Sequence, residues 1–215
     1  MNYVIKLNGV CFTTNNLYNQ VNNVSFSLNE SEKLFIDANA ENGCEELFRL
    51  LLGLEKPKEG EILINGNLVN KIDYKSLNLL YIPKTLDLFK NKTVSENIKY
   101  FIKLRIKNKK EVDKILNESI TKFNLSDIQN KKANQLSVYE KLLVILARSF
   151  YREKQIIFIE NVFDNLTLKE LDNIMELLNS YYFTNKTTVI LWGNEKVYKK
   201  LTGFSYKRME FGSLK

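Results

Sequence analysis

The apolar run Ile156-Ile157-Phe158-Ile159 constrains the fold more than any other feature of this sequence. A strand without polar positions is covered on both faces, which is typical of the middle of a parallel sheet. Similar short runs occupy residues 33–37, 79–83 and 188–192. Between these runs, apolar residues recur at helical spacing over residues 45–54, 142–150 and 166–178. Strands that alternate with helices in this way predict an α/β fold whose central strands are parallel.

The remaining segments predict further strands and a helical insertion. Residues 3–8 and 24–28 alternate between apolar and polar, and residues 61–66 read as a strand that enters a turn. From Val94 to about Leu136 the pattern is helical and rich in lysine. We therefore expect a single domain over residues 1–215, with an inserted helical subdomain at about 94–136.

Composition excludes several kinds of site. The chain has no histidine, so it has no His-based catalytic triad, no His zinc ligand and no imidazole proton shuttle. Cys11 and Cys44 are too few for a disulfide framework or a four-cysteine metal site, and they favour a reducing intracellular compartment. The formal charge of 32 − 25 = +7 comes mostly from lysine in a chain rich in Asn and Ile. It does not predict a nucleic-acid surface.

The sequence predicts neither a targeting signal nor a membrane span. Its first residues lack the charged leader and apolar core of a secretory signal. No apolar run approaches the ~20 residues that span a bilayer. We therefore expect a protein that is neither secreted nor integral to a membrane.

Residues 33–54 form a strand–loop–helix unit of the kind that cradles phosphate. An apolar strand ends at Asp37, a polar loop follows, and leucines at helical spacing begin at Leu47. The start of such a helix offers free backbone N–H groups and about +0.5 charge to an anion. The loop reads Ala38-Asn39-Ala40-Glu41-Asn42-Gly43-Cys44-Glu45-Glu46.

The order of segments resembles the ATP-binding subunit of an ABC transporter along nearly the whole chain. Residues 50–66 are similar to the passage that follows the phosphate loop in that family, and residues 93–98 to the segment after its glutamine loop. Leu136-Ser137, followed by residues 144–148 and the strand 156–159, completes the match. The resemblance implies a P-loop NTPase-like parallel-core sheet with an antiparallel β subdomain and an inserted helical subdomain.

The phosphate loop departs from the family pattern. Gly43 is the only family glycine that remains, Cys44 stands where the phosphate-binding lysine is expected, and Glu45 and Glu46 replace two hydroxyl residues. We interpret the two glutamates as helix-start carboxylates, each worth roughly 0.3–1 kcal/mol to the helix. Their charge would repel a triphosphate. We therefore expect no cofactor on this chain's own phosphate loop, and ATP and Mg²⁺ only through a partner subunit.

Four further positions of the family site carry other residues. Glu160-Asn161 follows the central strand where the family has Asp and then Glu. Glu160 remains a candidate metal ligand through water, whereas the amide of Asn161 cannot accept a proton as a general base. Lys84 stands at the glutamine-loop position, and Asn194 at the position of the histidine switch.

The family's signature and its adenine-stacking position also carry other residues in this chain. Leu136-Ser137-Val138-Tyr139-Glu140 stands where the family has Leu-Ser, two glycines and Gln. Thr14 fills the place of the aromatic residue that stacks on adenine, with Phe12 nearby. The resemblance implies a head-to-tail dimer, in which Ser137 would donate to the γ-phosphate of an ATP held by the partner's loop.

These departures predict a degenerate ABC-transporter ATP-binding-type subunit, a structural or regulatory partner in a membrane transport complex with little or no ATP hydrolysis of its own. One alternative is an ATP-binding, weakly hydrolysing subunit in which Glu160 and Lys84 compensate. Another is a nucleotide-independent adaptor that docks membrane helices near Leu86, Leu88 and Phe89, although ordinary core packing explains Leu86 and Phe89 equally well.

The expected partners are a transmembrane permease and a second ATP-binding subunit, as a homodimer or heterodimer. Such partners place the protein in the cytoplasm, peripheral on the inner face of a membrane. A nucleic-acid partner is not expected.

Overall fold

The computed structural model describes residues 3–13, 20–38, 42–72, 77–184 and 186–215. The strands of this part of the chain are β1 Ile5–Phe12, β2 Val21–Leu28, β3 Lys33–Asp37, β4 Glu59–Ile64, β5 Asn67–Leu68, β6 Leu79–Ile82, β7 Ile156–Ile159, β8 Thr188–Gly193, β9 Ser205–Glu210 and β10 Ser213–Leu214. Its α-helices are α1 Cys44–Leu51, α2 Val94–Lys103, α3 Lys109–Lys122, α4 Val138–Ser149, α5 Leu168–Tyr181 and α6 Glu195–Tyr198.

Two sheets organise the chain. A four-stranded antiparallel sheet has the order β2-β1-β4-β5, and a six-stranded sheet has the order β10-β9-β3-β8-β7-β6. In the larger sheet β6, β7, β8, β3 and β9 are all parallel, and β10 is antiparallel to β9. The predicted parallel centre is confirmed, and β7 and β8 are buried along their whole length.

The parallel register brings several loops to one edge of the larger sheet. Asp37, the last residue of β3, lies opposite Gly193 at the end of β8. Ile159, the last residue of β7, lies opposite Leu191 of β8 and Ile82 of β6. The segments that follow Asp37, Ile82, Ile159 and Gly193 therefore leave the sheet side by side.

Several helices begin at capping boxes that can be read in the sequence. Thr93, Ser137 and Thr167 each accept a hydrogen bond from the backbone N–H three residues on, and the glutamate at that position bonds back to the capping backbone. The pattern Ser or Thr followed by Glu at the third position predicts such starts. Helix α1 ends where Gly53 takes a positive φ of 64° just beyond its cap, Leu52.

Several predicted boundaries shift, and the helices expected over 142–150 and 166–178 span Val138–Ser149 and Leu168–Tyr181. The helix expected over 45–54 begins one residue earlier, at Cys44, and ends at Leu51. The helical pattern from 94 to 136 divides into α2, α3 and short 3₁₀ turns, because Asn108 caps a new helix. The assignment of this segment to a subdomain within one domain stays a prediction. Within the described residues, the model contains no helix with the length and apolarity needed to cross a membrane.

Large buried side chains fix the larger sheet against its helices. Phe48 of α1 contacts the rings of Phe158 and Trp192, at centroid distances of 6.2 and 6.1 Å. The Trp192 Nε1–H donates to the carbonyl oxygen of Ala38 at 2.9 Å. This bond ties β8 to the first residue after β3, where the phosphate loop begins.

Asn97 holds the segment before α2 in place. Its side chain is fully buried, and its Oδ1 accepts from the Phe89 N–H at 2.8 Å. Its Nδ2 lies 2.9 Å from the Thr93 carbonyl oxygen, 3.2 Å from that of Phe89 and 3.3 Å from that of Lys92. One amide therefore bonds backbone groups of Phe89, Lys92 and Thr93.

Replacing Asn97 with Ala tests this role. Asn97→Ala leaves the Phe89 N–H and nearby carbonyl groups without their partner, so the free energy of unfolding should fall by about 1–3 kcal/mol. Urea denaturation followed by circular dichroism measures the change. The exposed Asn91→Ala is the control and should stay within about 0.5 kcal/mol of the native chain. Equal stability of the two variants would contradict the anchoring role.

Candidate functional site

The loop between β3 and α1 lies at the shared edge of the parallel strands. Asn39, Ala40 and Glu41 lie outside the described residues, as does Thr14, the predicted adenine-stacking position. Gly43 is the N-cap of α1 and has a φ of 85°. A Cβ at this position would come within 1.5 Å of the Gln20 carbonyl oxygen. The one family glycine that remains is thus required by both its conformation and its space.

Cys44 turns its side chain into the protein. It is the first residue of α1 and is fully buried. Burial raises the pKa of its thiol well above the usual value, and the charges of Glu160 and Glu46 raise it further. The thiol is therefore neutral at pH 7. The position predicted for the phosphate-binding lysine therefore carries a neutral side chain.

Glu45 and Glu46 lie in the first turn of α1, as the sequence predicts. Glu45 is exposed and Glu46 is half-buried. Carboxylates at this end interact favourably with the helix dipole and place negative charge beside its free N–H groups.

Glu160 joins the ends of β6 and β7. It is 6% exposed, its Oε1 accepts from the Tyr81 hydroxyl at 2.6 Å, and its Oε2 accepts from the Lys84 N–H at 2.7 Å. Burial and this hydrogen bond raise the pKa of Tyr81. Lys84 thus contributes its backbone amide to the site, and its side chain is exposed.

Asn161 and Asn194 meet at one carboxylate, which belongs to Asp164. The Asn161 Nδ2 donates to Asp164 Oδ2 at 2.5 Å, and the Asn194 Nδ2 donates to Asp164 Oδ1 at 2.8 Å. Asn194 also caps α6, because its Oδ1 accepts from the N–H groups of Lys196 and Val197. The two positions predicted for the base and the switch are therefore linked through a third residue.

Sequence reasoning missed Asp164. The signal available was its spacing, since it lies three residues after Asn161 and at the end of a short apolar segment. That spacing cannot show that the chain turns back toward Asn194, which is 30 residues further on.

Ser137 is placed by α4, not by a strand end. It is the exposed N-cap of that helix, and its Oγ accepts from the Glu140 N–H at 3.1 Å. The hydroxyl proton is not used by this cap. It is available to an acceptor outside the chain.

Phe12 does not offer a free ring to adenine. It is 7% exposed and packs in the core with the antiparallel sheet.

The oxygen atoms at this edge suit a hard cation only in part. Among the described residues, no group of three His, Cys, Asp or Glu side chains is placed to hold a metal ion. Glu160 offers one carboxylate, and the Oδ1 of Asn161 is buried without a hydrogen-bond partner. Mg²⁺ commonly takes one or two protein oxygens and completes its shell with water and phosphate. The residues fit that mode.

A second surface lies beside α2. Phe89, Tyr100 and Leu104 are 44%, 49% and 58% exposed, and Phe89 and Tyr100 line a groove of about 300 Å³. Leu86 is 5% exposed and belongs to the core, and Leu88 is half-buried. Of the three residues considered for docking, Phe89 is therefore the exposed one.

Comparison with known proteins identifies the family of this chain. Residues 21–164 match the family model of the ABC transporter. This segment runs from the start of β2 to Asp164, so it contains the phosphate loop, Glu160 and Asn161.

Curated relatives match at moderate identity. The molybdate/tungstate import ATP-binding protein WtpC of Pyrococcus abyssi is 28% identical over 156 residues, which cover 73% of this chain and 45% of the relative. The lipoprotein-releasing system ATP-binding protein LolD of Buchnera aphidicola is 29% identical over 177 residues, 78% of each chain. The match thus spans about half the length of WtpC and a larger share of LolD.

Solved structures share the fold. The dimeric post-hydrolysis state of the ATP-binding cassette MJ0796, bound to ADP and Pi, has a TM-score of 0.83 at 21% identity and covers 98% of this chain and 96% of its own. The cbiO1 protein of Clostridium perfringens, part of the ABC transporter complex cbiONQ, has a TM-score of 0.80 at 17% identity over 100% of this chain and 88% of its own. The predicted fold class is confirmed.

The expectation that this chain's own phosphate loop takes no cofactor is wrong. The curated relatives are named ATP-binding proteins, and a solved cassette of the same fold is bound to ADP and Pi. The physical reason is that backbone N–H groups supply much of a phosphate cradle, and side-chain substitutions leave those groups in place.

The family match covers well over half of the chain, and the fold agrees with it over nearly its full length. The segment matched includes the loop at the start of α1 and the strand that ends at Glu160. The chain is a nucleotide-binding domain of the ABC transporter family.

Proposed function

We propose that this protein is an ATP-binding subunit of a membrane transport system that binds Mg-ATP, hydrolyses it slowly and acts mainly as a structural or regulatory partner. The observation that carries the proposal is the described edge of the parallel strands, where an amide, Asn161, follows Glu160. This edge supports nucleotide binding, and the amide accounts for slow chemistry.

Nucleotide binding rests on the backbone of α1. The first N–H groups of a helix have no acceptor within it and point toward an anion. Gly43 in the left-handed conformation lets the chain turn into this start. Without a lysine, and with Glu45 and Glu46 nearby, the affinity should be lower than in a loop that carries the lysine.

Slow hydrolysis follows from the chemistry at the end of β7. A carboxylate that accepts the proton of the attacking water contributes typically 10²–10⁴-fold to a rate. Asn161 cannot accept that proton, and both oxygens of Glu160 already accept hydrogen bonds. Glu160 is suited to contact the water shell of Mg²⁺, which would supply charge neutralisation to the phosphates.

Dimerisation is supported by Ser137. Its hydroxyl proton is free to bond a phosphate oxygen presented by a second ATP-binding subunit, whether a copy of this chain or a related one. Val138, which follows it, is 36% exposed at the same helix start. A contact of this kind makes association depend on nucleotide.

A permease subunit is the second proposed partner. The exposed apolar side chains of Phe89, Tyr100 and Leu104 form a patch next to the segment held by Asn97. Lys92, Glu96, Lys99 and Lys103 border the groove beside Phe89 and Tyr100. Apolar side chains bordered by charged ones suit a short helix with a mixed surface, and such a partner would hold the protein at the inner face of a membrane.

Removing the two helix-start glutamates should raise nucleotide affinity. Glu45→Ser with Glu46→Thr removes like charge from the place where phosphate binds, so the affinity for Mg-ATP should rise about tenfold, or about 1.4 kcal/mol. Isothermal titration of both proteins measures it. The exposed Glu59→Ser is the charge control, since it lies in β4. A native chain that binds no Mg-ATP at millimolar concentration would overturn the proposed function.

Replacing Ser137 with Asp should abolish nucleotide-driven association. Asp keeps the N-cap acceptor of α4, so the fold is retained. Its carboxylate repels a phosphate where the hydroxyl donated, and the lost charged hydrogen bond alone is worth about 1.5–3 kcal/mol. Association with a second ATP-binding subunit, measured by analytical ultracentrifugation with and without Mg-ATP, should lose its nucleotide dependence.

The matched control is Thr167→Asp, which makes the same change at the capping box of α5. It should leave association unchanged. If both substitutions behave alike, Ser137 has no special relation to nucleotide.

A further inference from the structure

Asp164 is an exposed carboxylate that two amides hold in one orientation. Its oxygens accept from the Asn161 Nδ2 at 2.5 Å and from the Asn194 Nδ2 at 2.8 Å. Because a carboxylate oxygen only accepts, these contacts also fix which end of each amide faces it. Each oxygen keeps room for a further hydrogen bond.

The Asn161 side chain has one atom without a partner. Its Oδ1 is buried and accepts no hydrogen bond. A buried polar atom left unpaired costs free energy. The amide nevertheless keeps its Nδ2 toward Asp164, so the carboxylate of Asp164 is the group that sets its orientation.

The other carboxylates at the strand ends are already engaged. Glu160 is buried between the Tyr81 hydroxyl and the Lys84 N–H. Asp37 accepts from the Tyr206 hydroxyl at 2.6 Å and lies 3.4 Å from the Arg208 Nε. Asp164 is the one whose hydrogen bonds come from the two positions that the family resemblance assigns to catalysis.

We propose that Asp164 is the general base for the slow ATP hydrolysis of this protein, and that Asn161 and Asn194 are its positioning residues. A water hydrogen-bonded to the Asp164 carboxylate gives one proton to it and carries the other into the product phosphate. The water oxygen forms a bond to the γ-phosphorus as the bond to the bridging β–γ oxygen breaks, and that electron pair leaves with ADP. Asp164 then releases its proton to solvent. This inference rests on the proposed function.

The arrangement also accounts for a low rate. Asp164 is exposed, so its oxygens also bond bulk water. A catalytic charge contributes more to a rate in a site that excludes water. The chain thus keeps a route for the proton while remaining a slow enzyme.

Single-turnover hydrolysis of γ-labelled ATP is the first test. The native chain should turn over slowly, well below about 1 s⁻¹. Asp164→Asn should lower that rate at least tenfold, and Asp164→Glu should retain part of it. The exposed Asp127→Asn, in a 3₁₀ turn of the helical segment, is the matched control and should change nothing.

Nucleotide binding gives a readout that does not depend on turnover. Asp164→Asn should bind Mg-ATP within about twofold of the native chain by titration, and its ATP-bound dimer should persist longer in gel filtration because the nucleotide is not consumed. Asp164→Ser, which is smaller, serves the same purpose if the Asn variant folds poorly.

A rescue variant separates a base from a merely structural residue. Asn161→Glu in the Asp164→Asn background puts a carboxylate directly after Glu160, and it should restore hydrolysis. Binding without any turnover in the native chain, or equal turnover in native and Asp164→Asn proteins, overturns the role of Asp164. A failure of the native chain to bind Mg-ATP overturns the proposed function instead.

Discussion

The parallel pairing of β3, β8, β7 and β6 is the constraint on which the rest of this structure depends. β3 and β8 pair to their last residues, as do β6 and β7, and Ile159 of β7 lies opposite Leu191, two residues before the end of β8. The loops after Asp37, Gly193, Ile159 and Ile82 therefore leave one edge of the sheet. Parallel strands of this kind are buried on both faces.

Residues at this edge of the sheet pack against the core and bond to neighbouring strand ends. Cys44 and Trp192 extend the apolar core up to the loop, where Trp192 still donates to the Ala38 carbonyl oxygen. Glu160 ties two strand ends through the Tyr81 hydroxyl and the Lys84 N–H. The Glu160 carboxylate is thus hydrogen-bonded within the protein. The first backbone N–H groups of α1 do not depend on the identity of its side chains.

Much of the fold could be predicted from sequence, because it depends on short-range patterns. The apolar run at 156–159 and the capping boxes at Thr93, Ser137 and Thr167 each predict their structure from neighbouring residues alone. Less of the candidate site could be predicted from the sequence. Leu86 has a positive φ of 49° and turns into the core, which apolar character alone does not reveal. The bond from Asn194 to Asp164 joins residues 30 positions apart, and no local pattern encodes it.

Asn161 and Asn194 share one structural role, because both amides donate to Asp164. Taken singly, neither amide accepts a proton at neutral pH. Taken together, they form a pair of donors that hold one carboxylate by both oxygens, which two carboxylate neighbours could not do. A carboxylate at 161 would repel Asp164, whereas an amide binds it at 2.5 Å. The amide at 161 and the aspartate at 164 are therefore compatible as a pair, because a neutral side chain at the first position permits a charged one at the second.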